Sequence, residues 1–331
     1  MAGVSHAEGS ADTLARLCLE SARTRDRKVT GMVDREPTQR FFESQRLRLS
    51  YWDWGNEDAP PLIFVHGGSD HARSWDRIVR GVGEGYHVLS LDVRGHGDSD
   101  WAPGSQYAIP DVALDVARLI EVAGQGQPAR VVGHSYGASS TLVAAAMFPE
   151  LFAAAIAIEG THTMNPKFAA DGMGPHWART WAEHARALET QTPRVYPNLG
   201  EMADRLQRSN PQQPREWLEH LARHGARQVE GGYVWKFDPW AAGDTRTSME
   251  IRAEELERFW EVIECPVLLL FAGGSSSARA VQRHDAAGLF THAKAVRSAV
   301  IPDVGHGIQH DNPKRTIHEI RSFLDEIVDA N

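Results

Sequence analysis

One serine in this sequence is placed to act as a nucleophile. Ser135 sits at the centre of Gly133-His134-Ser135-Tyr136-Gly137, directly after the short β-rich run at 130–132 and directly before the helix-forming stretch ASSTLVAAAM. A serine between glycines two residues to either side can occupy a tight strand-to-helix turn, with its hydroxyl projecting above the sheet. The start of a helix also favours negative charge developing nearby. The chemistry this permits is covalent acyl transfer, but a serine hydroxyl is weakly nucleophilic at neutral pH and needs a positioned base.

Histidine supplies such a base because its ordinary pKa of about 6.5 lies near working pH. The chain has 16 histidines, and position singles out His306, which follows the last predicted strand in the loop VGHGIQHDNP; His310 is the backup. A third group, a buried carboxylate, would orient the imidazole and stabilise its protonated form. Glu159 ends the apolar run AAIAIE that follows the nucleophile helix, at the sheet edge where active-site residues collect. A glutamate there needs a partner, because a buried unpaired charge is unfavourable. Two other readings of Glu159 stay open: it caps the strand, or it anchors the following segment through a salt bridge.

These three residues require a parallel sheet to bring them together. Apolar runs at 62–68, 87–97 and 130–137 each end in a glycine-bearing loop, and helical patterns lie between them, notably IPDVALDVARLIEVAG at 109–124. Alternating strands and helices predict an α/β fold with a mostly parallel central sheet, right-handed crossovers and helices on both faces. Before them, FFES and LRLSYWDW look like a hairpin. From Thr161 to Glu264 the chain turns polar and helical, with six tryptophans and several prolines, and reads as an insertion. Strand patterns return at 265–274 and 295–306, and an amphipathic helix from Pro313 closes the chain.

The order HGG, RGHGDSD, GHSYG and a late GH resembles the α/β-hydrolase superfamily over about residues 40–330, and the run GGYVWKFDPW resembles a cap segment in serine-hydrolase-like relatives. The resemblance implies a core at 38–160 and 265–331, a helical cap at 161–264, and an arm at 1–37 outside the family's pattern. It implies that the backbone N–H groups of Gly68, in His66-Gly67-Gly68, and of Tyr136 form an oxyanion hole. It gives Arg94-Gly95-His96-Gly97-Asp98-Ser99 a bracing role and supports His306 as the base. The family's usual acid follows the strand LLLFA, where this chain has Gly273, Gly274 and Ser275 to Ser277; some relatives instead carry the acid at the position matching Glu159. Asp285, or a dyad without an acid, is the alternative.

The implied activity is cofactor-independent hydrolysis of a carboxylic ester or lactone through an acyl-enzyme. Thioesterase, carbon–carbon bond hydrolase and cofactor-free perhydrolase chemistry could use the same triad, and a non-catalytic ligand receptor is the rival of a different class. Serine in place of aspartate argues against dehalogenase and epoxide-hydrolase chemistry. Trp177 and Trp181 are the cap residues expected to face a small hydrophobic ester-type substrate.

Bulk properties narrow the partners. The net charge of −9 over 331 residues repels a phosphate backbone, so no nucleic-acid partner is expected. No run of about 20 apolar residues spans a bilayer and no signal-peptide pattern opens the chain, so a cytoplasmic location without membrane association is expected. Cys18 and Cys265 lack zinc-ligand neighbours, and no metal or cofactor is expected. A homodimer is compatible with this sequence but not specified by it.

Overall fold

In the computed structural model the described residues are 34–160, 175–241, 253–274 and 286–329. They form an eight-stranded sheet with helices on both faces. The strands of this sheet are β1 (Thr38–Ser44), β2 (Leu47–Asp53), β3 (Pro61–Val65), β4 (His87–Leu91), β5 (Ala129–His134), β6 (Phe152–Ile158), β9 (Val267–Ala272) and β10 (Val296–Ile301), in the order β1-β2-β4-β3-β5-β6-β9-β10. The predicted opening hairpin is present, with β1 antiparallel to β2 and β2 antiparallel to β4. From β4 onward every neighbouring pair is parallel.

Side chains alternate between two cores, as a pleated sheet covered on both faces requires. Ile63 and Val65 of β3, Ala155 and Ala157 of β6 and Leu269 and Phe271 of β9 face one core. That core includes residues of α2 (Ile109–Ala123), α3 (Tyr136–Met147) and α7 (Ala253–Glu261). Leu62 and Phe64, Ile156 and Ile158, and Leu268 and Leu270 face the other, which includes residues of α1 (Asp76–Val82) and α8 (Pro313–Asp329). Burial on both sides explains why these strands read as continuous apolar runs.

Between β6 and β9 lie α4 (Pro175–Glu189), α5 (Leu199–Ser209) and α6 (Arg215–Gly225), followed by a short antiparallel hairpin of β7 (Ala226–Val229) and β8 (Gly232–Trp235). The helical reading of this region therefore omits a hairpin. Glu230 and Gly231 make its turn, with Gly231 at positive φ, and Gly232, also at positive φ, opens β8. The α5–α6 pair and this hairpin share a small core around Met202, Leu218 and Ala222. No described helix is long and apolar enough to cross a membrane.

The chain leaves β3 for β4 on one side and later enters β5 on the other, so β3 and β5 flank the point where the strand order reverses. Ligands of open α/β sheets bind beyond the strand ends at such a point. The loops after β3, β5, β6 and β10 carry His66 to Gly68, Ser135, Glu159 and His306.

Candidate active site

Ser135 occupies a strained turn. Its φ of 51° and ψ of −115° lie where non-glycine residues are rarely found, a conformation that persists only when its surroundings enforce it. Here they do. The Ser135 N–H donates to Ile158 O at 2.8 Å, while Ser135 O accepts from Ala138 and Ser139 at 3.0 Å each. The flanking glycines are dictated by space: a Cβ at Gly133 would lie 2.5 Å from Gly137 O, and one at Gly137 would lie 2.4 Å from His66 O.

His306 Nε2 is 2.8 Å from Ser135 Oγ, and Nδ1 is 3.3 Å from Glu159 Oε2. With Nδ1–H facing the carboxylate, Nε2 presents a lone pair to the serine O–H, which is the tautomer a general base needs. Half of the imidazole is exposed, at 49%, so solvent or substrate can approach its edge. Glu159 is buried and its own backbone is at φ 53°. Its N–H donates to Leu270 O at 2.9 Å and its Oε1 accepts from Ala272 N at 2.7 Å. The carboxylate is thus fixed between β6 and β9 with its second oxygen aimed at His306. Asp285 and Ser275 to Ser277 fall outside the described residues.

Gly67 places the β3 loop against the elbow, since a Cβ there would lie 3.2 Å from Ser135 Cβ and 2.8 Å from His134 Nδ1. Gly68 follows and is exposed. Tyr136 opens α3, and its hydroxyl donates to Tyr107 O at 2.5 Å. Two buried histidines brace this loop. His66 Nε2 accepts from Val93 N–H at 3.0 Å, and His96 Nε2 accepts from Ser69 N–H at 3.0 Å. Asp98 binds Lys236 at 2.8 Å and Gln39 at 3.0 Å, tying core to insertion. The bracing role expected of the Arg94 to Ser99 loop matches these contacts.

Several neighbours were not singled out from sequence. His134, next to the nucleophile, donates from Nε2 to His306 O at 2.9 Å, and its ring lies 4.9 Å from that of His306. Burial, followed by the proximity of His306, pushes its pKa down to about 3, so it stays neutral. The His306 loop is also tied to the insertion. Asp311 accepts from Gly305 N–H at 2.7 Å and from Gln213 Nε2 at 2.9 Å, and Trp217 Nε1 donates to His310 Nδ1 at 3.4 Å. Apart from the local bond between Gly305 and Asp311, these contacts join residues more than 90 positions apart in sequence, and no local spacing signals them. Trp177 and Trp181 lie on α4, but their side chains fall outside the described residues. Among the described residues no group of three metal-ligating side chains occurs. Cys265 is a buried free thiol, pushed up to about 12 by burial.

A serine in a strand-to-helix elbow, an imidazole on it and a carboxylate behind define an α/β-hydrolase site. The chain belongs to the alpha/beta hydrolase fold family, which it matches over residues 60–313. It is 27% identical to esterase Rv0045c of Mycobacterium tuberculosis over 282 residues, 84% of this chain and 86% of that one. It is also 27% identical to 2-(acetamidomethylene)succinate hydrolase of Mesorhizobium japonicum, over 85% of this chain and 92% of the relative. Among solved structures, a thioesterase domain from the curacin biosynthetic pathway shares the fold with a TM-score of 0.75 at 20% identity, covering 88% of this chain and 100% of that domain.

Proposed function

We propose that this protein is a serine esterase working through an acyl-enzyme, with Ser135 as nucleophile, His306 as base and Glu159 as acid. The observation that carries the reading is the continuous contact from Ser135 Oγ to His306 Nε2 and from His306 Nδ1 to Glu159 Oε2. Ser135 Oγ attacks the ester carbonyl carbon as its proton passes to His306 Nε2. The negative charge gathers on the former carbonyl oxygen, where the backbone N–H groups of Gly68 and Tyr136 receive it. Collapse of the tetrahedral adduct breaks the bond to the alcohol, which leaves with the proton from His306. Water then gives its proton to His306 and attacks the acyl carbon; collapse returns that proton to Ser135 and frees the acid. Throughout, Glu159 stays ionised and holds the imidazole in its working tautomer.

The esterase name of the Mycobacterium tuberculosis relative supports carboxylic esters over the other acyl donors. Lys236 and Asp98 join the hairpin end of the insertion to the core, which supports its role as a cap over 161–264. Purified protein is expected to hydrolyse p-nitrophenyl acetate or butyrate in the presence of EDTA, with turnover abolished by Ser135→Ala. Equal turnover by the wild type and the alanine variant would exclude this reading.

A further inference from the structure

Beside the loop that follows β3 lies a small cleft of about 50 Å³, open to solvent, between the core and the insertion. Ser69, Asp70 and His71 line it from the core, while Leu221, Trp235 and Phe237 line it from the insertion. It borders the loops that carry Gly68 and His306. Ser69 follows Gly68 directly, and Asp70 lies 3.7 Å from the ring of His310, four residues beyond His306.

Two acceptors stand at this cleft, the Asp70 carboxylate and His71 Nδ1, and of these only His71 Nδ1 lacks a donor. His71 Nε2 faces Leu221 O at 3.1 Å, so that nitrogen carries the proton and Nδ1 carries a lone pair. Nδ1 is buried and has no partner among the described residues. Burial pushes the His71 pKa down to about 4, so protonation does not supply a donor at neutral pH. Asp70 accepts from His71 N–H and Ser74 Oγ–H at 2.9 Å each and remains one-fifth exposed. Burial opposes its charge, but His310 and the neighbouring imidazoles outweigh it and hold the carboxyl well below the usual range. Lys236 also lines the cleft, with its ammonium ion-paired to Asp98 at 2.8 Å. A buried acceptor without a donor is unfavourable, and a ligand can supply what the fold lacks.

We propose that this cleft is a substrate subsite for a group bearing a hydrogen-bond donor, a hydroxyl, amide N–H or ammonium, and that it rejects carboxylates. The aromatic and leucine walls hold the carbon skeleton, and Asp70 with His71 reads the donor. A carboxylate would instead meet the Asp70 charge. The proposal rests on the esterase reading above.

The test is a matched ester series. The p-nitrophenyl esters of butyric, 3-hydroxybutyric and 4-aminobutyric acids and the p-nitrophenyl hemisuccinate vary one group on a four-carbon acyl chain. Propyl and 2-hydroxyethyl butyrate do the same on the alcohol side. In at least one series the donor-bearing ester is expected to exceed its methyl counterpart in kcat/KM by about tenfold, and the hemisuccinate to fall below the butyrate. The arms separate a hydroxyl from an ammonium as the preferred donor. Asp70→Asn is expected to raise the hemisuccinate-to-butyrate ratio about tenfold, and His71→Phe to bring the donor-to-methyl ratio towards one. Ratios within one preparation are insensitive to the fraction folded, so an unstable variant still reports. Ester turnover with flat ratios in both series overturns the subsite alone. Absence of turnover together with an unlabelled Ser135 after fluorophosphonate treatment overturns the esterase reading, and the subsite with it.

Discussion

Replacing Glu159 by glutamine separates chemistry from folding at this site. The side-chain oxygen can still accept from Ala272 N–H, now 2.7 Å from Oε1, so the link between β6 and β9 survives. What changes is the group 3.3 Å from His306 Nδ1. An amide NH2 there donates to Nδ1, which moves the imidazole proton to Nε2 and removes the lone pair that Ser135 needs. Loss of the tautomer-fixing carboxylate in such triads lowers kcat by about 10⁴, or about 5 kcal/mol in the barrier. Unfolding stability should change by only about 1 kcal/mol, the scale of one exchanged hydrogen bond. The assay is kcat on p-nitrophenyl butyrate beside urea denaturation of the same preparations. Glu159→Ala serves as the contrast, since it also orphans Ala272 N–H and should lose more stability. A kcat for Glu159→Gln within about tenfold of wild type would refute the assignment and return attention to Asp285 or to a Ser-His dyad.

Three further outcomes follow from the geometry. Gly137→Ala puts a Cβ 2.4 Å from His66 O and 2.5 Å from Val65 O, both backbone; it should destabilise by about 3 kcal/mol, and a wild-type urea midpoint would contradict this. Gln213→Glu sets a second carboxylate against Asp311, 2.9 Å away, and should lower kcat about tenfold with KM little changed. Adding Asp311→Asn restores a donor-acceptor pair and should rescue kcat; a double variant no better than the single would show that Asp311 does not position the His306 loop. Burial holds His71, His134 and His224 neutral, near 4, 3 and 3. Their folded values lie below the unfolded value of about 6.5, so their contribution to stability is complete above that pH and is lost as pH falls towards 3 to 4. Because buried Asp92 and Asp115, raised by burial, act in the opposite sense, imidazole NMR decides. The three rings should stay neutral at pH 5, and titration near 6.5 would contradict their burial.

The residues legible in the sequence were those whose signal is local. Ser135 was readable because strand, glycine-serine-glycine turn and helix follow one another within twenty residues, and His306 because it lies in the loop between the last strand and the closing helix. Glu159 was readable because a glutamate ended an alanine-rich strand and because the family resemblance, which puts the acid after β9 in most relatives, puts it at this position in some. The two-sided cores were readable from apolar runs too long and uniform for an alternating strand. What stayed hidden depends on contacts across the fold. Nothing near Gln213 or Trp217 points to the His306 loop, and the acceptor character of the cleft depends on which nitrogen of His71 meets Leu221 O. The β7–β8 hairpin was a different miss: Gly231-Gly232 between Val229 and Tyr233 is a turn signal, outweighed by the helical pattern around it.

The most direct test of the account is intact-mass spectrometry after a brief exposure to a fluorophosphonate, followed by peptide mapping. One adduct per chain on Ser135, absent in Ser135→Ala and strongly slowed in His306→Ala, is the predicted result. An unmodified Ser135 in folded protein, or labelling at an undiminished rate without His306, would contradict it.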